Sequence, residues 1–388
     1  FRRGPGNQEA AASAGALLKG DRPVSFSTVD HASMARALQL ARRGLNTTTP
    51  NPRVGCVLVR DGHVLAQGWH ERAGGAHAEA AALQALAGAG GNAQGATAYV
   101  SLEPCSHFGR TPPCADALVA AGVARVVAAM QDPNPQVAGQ GLARLQAAGI
   151  ATECGLMEAE ARDLNVGFVS RMTRGRPWVR LKVAASLDGK TALNNGRSQW
   201  ITGGEARRDA HRWRARSCAV LTGIGTVKDD NPRLTVRYIP TTRQPLRVVV
   251  DSRLETSPDA AILEGGGVLI FAARDDATRS AALAARGAEV ICLPNPHGKV
   301  DLAELLKELG RRGINEVLAE AGTRLNGSLL REGCVDELLI YQAPLLIGDA
   351  ARGMFGLDEL ADLAGARRLD ILERRAIGAD LRIRARLG

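Results

Sequence analysis

The feature that most constrains this chain is a regular alternation of strand-like and helix-like runs. From about residue 30, short apolar runs typical of buried strands alternate with runs that place apolar residues at helical spacing. Such alternation predicts sheets covered by helices, and therefore an α/β fold. The chain has 388 residues, which is more than one core of ordinary size holds. We therefore expect two α/β domains.

One segment interrupts the alternation. Residues 171–177 (RMTRGRP) combine charge, Gly and Pro, and we place the interdomain linker there. The predicted domains are residues 29–174 and residues 175–388. Residues 1–28 are rich in Ala, Gly, Ser and charge, and we expect a disordered or expression-derived tail and no secretory signal.

Several elements follow from local patterns. In the first half we predict a helix over 30–43 with Asp30 as its N-cap, a hairpin over 54–68 that turns at Asp61 and Gly62, and an Ala/Leu-rich helix over 77–87. In the second half the predicted strands lie at 178–185, 218–223, 246–251, 267–272, 288–293, 315–320 and 336–342, and the predicted helices at 203–216, 301–312 and 324–332.

Composition excludes several classes of function. Aromatic residues make up only 3% of the chain, which argues against stacking platforms for single-stranded nucleic acid. No run approaches the ~20 apolar residues that a membrane span needs, so we expect no membrane partner. The formal net charge of +9 suits phosphate-bearing small molecules and nucleic acid alike. The seven scattered cysteines argue against a disulfide framework, and we expect a cytoplasmic protein.

The chemistry of the first half is concentrated in His77, Glu79, Cys105 and Cys114. His77 and Cys114 each stand at the start of a predicted helix, where a thiolate is favoured, and Cys105 follows a predicted strand. Three nitrogen and sulfur ligands suit tetrahedral Zn²⁺ and leave a fourth position for water, whose pKa zinc lowers. Glu79 lies two residues past His77, which places it to move protons. This H-x-E…P-C…C pattern is that of zinc nucleobase deaminases.

Two other interpretations of these residues stay open from the pattern alone. The zinc could be structural, with His107 in the intervening loop as a fourth ligand. Alternatively, the two cysteines could be unrelated buried thiols.

The spacing of the motifs carries a more specific resemblance. Eight residues separate the two cysteines, whereas nucleic-acid deaminases generally have two. The ordered set TPNPRVG (49–55), GWH (68–70), HAE (77–79), SLEPCSHFGRTPPC (101–114) and DPNP (132–135) resembles the deaminase half of bacterial bifunctional riboflavin-biosynthesis deaminase–reductases, the RibD type. The resemblance runs from about residue 30 to the C-terminus.

For the first half, this resemblance implies a cytidine-deaminase-like three-layer α/β/α domain. Its substrate would be 2,5-diamino-6-(5-phosphoribosylamino)pyrimidin-4(3H)-one, hydrolysed to release ammonia with Glu79 carrying the protons. We expect Asn51 to hydrogen-bond the pyrimidine edge, although a plain turn residue is the alternative. His107 and Arg110 in the long loop are candidates to bind the ribose or the phosphate.

The second half contains no complete G-x-G-x-x-G fingerprint, because Lys228 stands where a third glycine would be after Gly223 and Gly225. Gly322 lies between a predicted strand and a predicted helix, where backbone N–H groups could face an anion. Five arginines crowd the helix at 203–216. Spacing puts Arg214 on a face with Arg207 that could reach a cleft.

LKVAASLDG (181–189), SQWITG (198–203), residues 223–237 and EAG (320–322) resemble the RibD-type reductase, a relative of dihydrofolate reductase. The resemblance implies a dihydrofolate-reductase-like α/β domain in which NADPH reduces the ribose of 5-amino-6-(5-phosphoribosylamino)uracil. The implied NADP contacts are Ala184, Trp200, Thr226, Asp230, Ser252, Gly322, Thr323, Arg324 and Leu325. The implied substrate contacts are Ser198, Arg214, Leu234, Arg237 and Glu320. Lys182 and Asp230 are candidate proton donors. Ala321 departs from relatives, which usually have glycine there.

We therefore expect an enzyme with one Zn²⁺ per chain, NADPH as cofactor and phosphoribosyl pyrimidines as substrates, without a nucleic-acid partner. We also expect a homo-oligomer formed through the reductase domain. Two alternatives are a nucleic-acid base deaminase with an appended domain, which predicts steeply salt-dependent RNA binding, and a non-catalytic zinc module with a ligand-sensing domain, which predicts four protein ligands on zinc.

Overall fold

The computed structural model describes residues 25–107 and 112–387. The helices are α1 (Thr28–Ala41), α2 (Ala78–Gly88), α3 (Cys114–Ala120), α4 (Gln140–Ala147), α5 (Glu158–Leu164), α6 (Val166–Arg174), α7 (Gly204–Arg216), α8 (Ile224–Asp230), α9 (Ala277–Ala284), α10 (Leu302–Arg311) and α11 (Thr323–Arg331). In this described part, no helix combines the length and apolarity needed to cross a bilayer.

The strands are β1 (Gly55–Arg60), β2 (His63–Trp69), β3 (Thr97–Val100), β4 (Arg125–Ala128), β5 (Ala151–Cys154), β6 (Trp178–Ser186), β7 (Lys190–Ala192), β8 (Ala219–Gly223), β9 (Leu246–Val250), β10 (Val268–Ala272), β11 (Ala288–Cys292), β12 (Glu316–Ala319), β13 (Glu337–Ala343), β14 (Arg352–Gly353), β15 (Leu369–Ile377) and β16 (Asp380–Leu387).

The first half is built on a five-stranded sheet in the order β2-β1-β3-β4-β5. β1 pairs antiparallel with β2 and β3, whereas β3, β4 and β5 run parallel. Side chains alternate along β1, so that Val57 and Val59 enter one apolar core while Cys56 and Leu58 enter the other. Helices therefore cover both faces of the sheet, as the alternation predicted.

The second half contains a nine-stranded sheet in the order β11-β10-β9-β8-β12-β6-β13-β16-β15. The seven strands from β11 to β13 in that order pair in parallel, and β16 and β15 complete the sheet as an antiparallel hairpin. A small two-stranded sheet joins β14 and β7. β8 and β12 are neighbours in the parallel part, so their carboxyl ends open at the same edge, where α/β sheets bind ligands.

Three predictions need correction. Asp30 is not the N-cap of α1: Ser27 is, and the Asp30 side chain accepts hydrogen bonds from the Ser27 backbone and hydroxyl in a capping box. Ser27 and Phe26, which packs against the first core, therefore belong to the fold and not to the tail. Residues 1–24 of that predicted tail lie outside the described residues.

The predicted linker is also partly wrong. α6 continues through Arg174, with Gly175 at φ 68° ending it, so only residues 175–177 are irregular before β6. The sequence analysis also missed the β15–β16 hairpin. β15 is exposed along most of its length, so it lacks the one-sided apolar pattern by which strands are recognised.

The two halves touch through ionic and polar contacts. Arg53 of the first half places Nη1 2.6 Å from the carboxylate of Glu316, and Arg171 Nε donates to Asn315 Oδ1 at 2.6 Å. Arg243 of the second half donates to the backbone oxygen of Asn46 at 3.0 Å. The contact between Arg53 and Glu316 joins the start of β12 directly to the segment that follows α1.

Candidate active sites

The three proposed zinc ligands lie together in the first half. His77 is the N-cap of α2, Cys114 is the first residue of α3, and Cys105 follows β3, as predicted. The distance from His77 Nδ1 is 3.6 Å to Cys105 Sγ and 3.4 Å to Cys114 Sγ. All three ligand atoms lie within 4.8 Å of one another.

This donor set fits zinc. Zn–S bonds of about 2.3 Å and Zn–N bonds of about 2.0 Å at tetrahedral angles place their donor atoms at separations close to those seen here. A hydrogen bond from the Cys114 thiol is the main cause that lowers the pKa of Cys105, so a thiolate forms readily within this pair. Among residues 25–107 and 112–387, the cluster of potential ligands contains these three residues and no fourth.

Glu79 lies in the first turn of α2 and is only 3% exposed. Burial is the main cause that raises the pKa of its carboxyl to about 7. A carboxyl group with this pKa exchanges protons with water and substrate near neutral pH, which is the property that a general acid–base needs.

Asn51 is joined to this centre through His70. The carbonyl oxygen of Ala76 can only accept, so His70 Nδ1 carries the proton that it donates there at 2.8 Å. Nε2 is then an acceptor and takes a hydrogen bond from Asn51 Nδ2 at 3.1 Å. The His70 ring also packs edge-on against His77, with centroids 5.5 Å apart. The sequence analysis assigned no role to His70, although it lies in the GWH motif.

Glu103 is a second residue whose role the sequence analysis missed. Its buried carboxylate accepts backbone hydrogen bonds from Asp132, Gly139, Gly141 and Leu142 at 2.8–3.2 Å. It therefore fastens the segment that carries the DPNP motif beside the strand end that leads to Cys105. Glu103 stands two residues before Cys105 in the sequence, and this position next to a proposed metal ligand could have pointed to its role.

The remaining deaminase-site predictions concern the long loop. His107 is exposed, and it is not part of the metal cluster, so it is not the fourth ligand considered above. Arg110 lies outside the described residues.

The second half contains a cavity of about 1440 Å³ at the carboxyl edge of β8 and β12. It is lined by predicted cofactor residues (Ala184, Trp200, Thr226, Asp230, Gly322, Thr323, Arg324, Leu325) and by all the predicted substrate residues (Ser198, Arg214, Leu234, Arg237, Glu320). Lys182 also lines it. Ser252 does not line this cavity: its hydroxyl accepts from the backbone of Val300 at 3.2 Å.

An ion-paired cluster lies inside this cavity. Arg214 Nε and Nη2 hold the two oxygens of Glu320 at 2.5 and 3.0 Å, and Lys182 Nζ lies 3.5 Å from the same carboxylate. Burial alone would raise the pKa of Glu320, but Arg214 and Lys182 outweigh it and lower the pKa to about 2. The remaining nitrogen of the Arg214 guanidinium, Nη1, donates to the Thr235 backbone oxygen at 3.1 Å.

Two helix N-termini also line the cavity. α8 starts after Gly223, and α11 starts after its N-cap Gly322. A Cβ on Gly225 would meet nothing within 4 Å, so that backbone faces open space. Unpaired N–H groups at such ends suit phosphate oxygens, and the residues therefore fit a dinucleotide cofactor. Leu234 in the same wall has φ 51°, an unusual conformation for a branched side chain and one that clusters at binding sites.

Comparison with known proteins identifies both halves. Residues 27–130 match the zinc-binding region of cytidine and deoxycytidylate deaminases, and residues 177–383 match the RibD C-terminal domain. The RibD of Escherichia coli is 50% identical over 364 residues, which cover 91% of this chain and 98% of that protein. The RibD of Haemophilus influenzae is 46% identical over 93% of this chain and 98% of that protein.

The chain belongs to the RibD family. Solved RibD structures agree: that of Acinetobacter baumannii (form 1) superposes with a TM-score of 0.86 at 43% identity, covering 93% of this chain and 99% of that one. A Thermotoga maritima deaminase/reductase superposes with a TM-score of 0.81 at 32% identity and the same coverages. The predicted α/β fold and function are confirmed. This RibD enzyme is a bifunctional deaminase and reductase of riboflavin biosynthesis, with a zinc-binding deaminase domain and an NADPH-dependent reductase domain.

Proposed function

We propose that the first half deaminates 2,5-diamino-6-(5-phosphoribosylamino)pyrimidin-4(3H)-one and that the second half reduces the ribose of 5-amino-6-(5-phosphoribosylamino)uracil. The observation that carries this proposal is the pairing of a three-ligand metal cluster beside buried Glu79 with a separate cavity lined by Lys182, Arg214 and Glu320. The Thermotoga maritima relative is described as a diaminohydroxyphosphoribosylaminopyrimidine deaminase and 5-amino-6-(5-phosphoribosylamino)uracil reductase. We propose residues 29–174 and 175–388 as the two catalytic domains.

In the deaminase domain, His77, Cys105 and Cys114 would hold the zinc, which when bound supplies an activated water. Glu79 takes a proton from the water as its oxygen adds to the ring carbon, and passes this proton to the ring nitrogen. It then takes the proton of the added hydroxyl group and delivers it to the exocyclic amine, so that the C–N bond breaks and ammonia leaves. The oxygen of water thereby replaces the amine on the same ring carbon. Because His70 holds the Nδ2 of Asn51, the Asn51 Oδ1 is the atom that remains to accept from the pyrimidine edge. His107 and Arg110 remain our candidates for the ribose phosphate.

In the reductase domain, NADPH when bound supplies the hydride. The hydride adds to C1 of the ribose, the bond to the ring oxygen breaks, and that oxygen takes up a proton. We assign the proton to Lys182, an ammonium donor that the Glu320 carboxylate holds inside the cavity. Asp230, the other candidate, accepts a hydrogen bond from Ser198 at 3.0 Å and is better placed to orient that hydroxyl group.

The cofactor assignment follows from the same cavity. We propose that the backbone of Gly322, Thr323, Arg324 and Leu325 binds NADPH phosphates, with Ala184, Trp200, Thr226 and Asp230 completing the cofactor wall. Ser252 would contact the cofactor only where the nucleotide extends beyond this cavity.

A Glu79→Gln variant separates the two activities. With the diaminopyrimidine ribotide as substrate, we expect ammonia release to fall at least about 100-fold, because a general acid–base is lost. NADPH oxidation with the deaminated compound should equal wild type. Glu71→Gln, a change at an exposed glutamate nearby, is the matched control and should leave both rates intact. Normal ammonia release by Glu79→Gln would remove Glu79 from its proposed role.

Metal removal provides a second test. Elemental analysis should find one zinc per chain, and chelation should abolish ammonia release while NADPH oxidation with the deaminated compound continues. Loss of both activities at equal chelator concentration would contradict a zinc requirement confined to the first half.

We also propose a homodimer formed through the reductase domain. β15 is the edge strand of the nine-stranded sheet, and Leu369 and Ile371 are 39% and 41% exposed on it. An open edge strand with exposed apolar side chains is a template for pairing with a second copy. Light scattering should give twice the 40.8 kDa chain mass, and Ile371→Lys should give the single mass. Val64→Lys, at an exposed site on β2, should not change the mass.

We further propose the cytoplasm as its compartment. All seven cysteines are free, and NADPH-dependent chemistry on phosphorylated substrates suits that environment.

A further inference from the structure

The segment that carries Asn51 lies against the reductase half. Pro50 packs on the turn before β12, where a Cβ on Gly313 would come within 3.2 Å of the Pro50 Cβ. The Pro50 carbonyl oxygen accepts a hydrogen bond from Asn315 Nδ2 at 3.1 Å and another from Arg171 Nη2 at 3.0 Å. Arg171 belongs to α6 of the first half, whereas Asn315 directly precedes β12 of the second. The contact between the halves therefore reaches the residue next to Asn51.

These hydrogen bonds hold the peptide group between Pro50 and Asn51 from both sides. A carbonyl oxygen has two lone pairs, and the Pro50 oxygen has two donors. The N–H of the same peptide group donates to the Thr48 backbone oxygen at 2.8 Å. Because the group is planar and is bonded at both ends, the backbone enters Asn51 in one orientation. His70 then holds Nδ2 at the far end of the Asn51 side chain.

The amide of Asn315 is suited to this task because it both donates and accepts. Its Oδ1 faces Arg171 Nε at 2.6 Å, an atom that only donates, so its Nδ2 is the atom that faces the Pro50 oxygen. The Asn315 side chain is buried, and its backbone oxygen accepts from the Trp178 N–H at 2.9 Å. A carboxylate here would still accept from Arg171 but would present only lone pairs to the Pro50 oxygen.

We propose that Asn315, in the reductase half, is a positioning residue for the deaminase reaction. It holds the Pro50 carbonyl and thereby presets Asn51 for the pyrimidine edge of the substrate. Presetting a binding residue reduces the free energy spent on ordering it when the substrate arrives. The deaminase site is then completed by a side chain from the other half of the chain. This inference rests on the proposed diaminopyrimidine substrate and on the proposed role of Asn51.

Asn315→Asp in the full-length enzyme tests the proposal. With the diaminopyrimidine ribotide, we expect kcat/KM for ammonia release to fall about tenfold, mainly through KM, because a donor that presets substrate binding is lost. NADPH oxidation with the deaminated compound should change less than about twofold. The aspartate keeps the acceptor for Arg171, so a residue that only joined the two halves would be replaced by it without loss.

A double variant shows whether Asn315 acts through Asn51. In an Asn51→Ala chain, adding Asn315→Asp should lower kcat/KM for ammonia release less than about twofold, because residues that act as a unit are not additive. Hydrogen exchange without substrate gives a readout that needs no turnover. The backbone amides of residues 46–54 should exchange faster in Asn315→Asp than in wild type, whereas those of α2 should not.

Arg386→Gln is the matched control. Arg386 forms another polar contact between the halves, an exposed ion pair with Asp163 at 2.9 Å. Its loss should leave ammonia release, NADPH oxidation and hydrogen exchange of residues 46–54 as in wild type.

Equal losses from Asn315→Asp with and without the Asn51 side chain would overturn the proposal, as would an unchanged KM for ammonia release. A parallel loss of reduction, or faster exchange throughout the chain, would show a general structural role and would also overturn it. Normal ammonia release by Asn51→Ala would overturn it and leave the proposed reaction standing. Failure of the wild-type enzyme to release ammonia from the ribotide would instead contradict the proposed function.

Discussion

Glu320 illustrates how a single buried carboxylate depends on its neighbours. Burial alone would raise the pKa of Glu320, but the positive charges of Arg214 and Lys182 reverse that effect and hold the pKa at about 2. Because the folded pKa lies below the usual 4.5, the ionised group stabilises the fold above pH 4.5 and loses this contribution as the pH falls toward 2. In the wild type it is therefore ionised throughout the neutral range.

An Arg214→Gln variant should change the pH profile of reduction. With its main ion partner gone, burial dominates and the Glu320 pKa rises above 4.5. We expect the reductase rate of the variant to fall as the pH is lowered from 7 to 5, whereas protonation of Glu320 should not lower the wild-type rate in this range. Steady-state NADPH oxidation across the range measures both rates, with Arg208→Gln, at an exposed residue of the same helix, as the control. Parallel profiles for variant and wild type would contradict the assignment.

The residues with a motif were the ones that sequence could predict. The candidate metal ligands could be predicted to lie together because their spacing is set by chemistry that tolerates few alternatives, and the structure brings them together. The partners that orient them were missed, because the contacts of His70 with Asn51 and of Glu103 with a segment some 30–40 residues away arise only when distant segments meet. Arg214 was placed at the cavity correctly, but its commitment to Glu320 could not be read from helical spacing.

At the scale of elements, the start of α1 combines local and long-range interactions. Asp30 closes the capping box with Ser27, and the same carboxylate accepts from Tyr99 at 2.7 Å and from Arg125 at 2.6 Å. The helix N-terminus is thereby attached to β3 and β4. The local sequence predicted a helix start in the right place but the wrong N-cap residue. Asp30 is the third residue of the helix, where its side chain completes the capping box and also bonds to the sheet.

Asp30→Ala should destabilise the deaminase domain by about 2–4 kcal/mol, because it removes a cap and leaves Tyr99 and Arg125 without their acceptor. Asp30→Asn should cost less, since its one oxygen can still accept on one side, although its amide nitrogen cannot accept in place of the other oxygen. Chemical denaturation followed through the loss of ammonia release compares them. Equal costs for the two variants would show that hydrogen-bond geometry contributes nothing.

The strands and helices that were predicted lie within a few residues of their observed positions, because their apolar periodicity is local. The short helices α5, α8 and α9 were not predicted, although each has buried residues. The β15–β16 hairpin was not predicted either, since its pairing to β13 is decided by the sheet it joins and not by its own pattern.

At the scale of the whole molecule, Glu316 is the centre of the contact between the halves. It is fully buried, and its carboxylate is surrounded by Arg53, Arg180 and Arg216. Burial opposes ionisation, and the three arginines overcome it and hold its pKa well below the usual value. Each half thus contributes charge to this cluster.

Glu316→Gln should destabilise the protein more than Arg53→Met. The first change leaves Arg53 and Arg216 without their carboxylate, at a cost of about 3–5 kcal/mol. After the second change Glu316 keeps two arginines. Thermal unfolding with both activities as readouts tests the order. If Arg53→Met is the more damaging, the contact is dominated by packing of the Arg53 stem and not by charge balance.

The strand β12 has a consequence for how this chain can evolve. Glu316 at its start faces the interdomain cluster, and Glu320 just past its end faces the reductase cavity, four residues apart on one side of the sheet. A single insertion or deletion between them would turn one of the two carboxylates toward the opposite layer. The length of this short segment is therefore constrained by two unrelated demands.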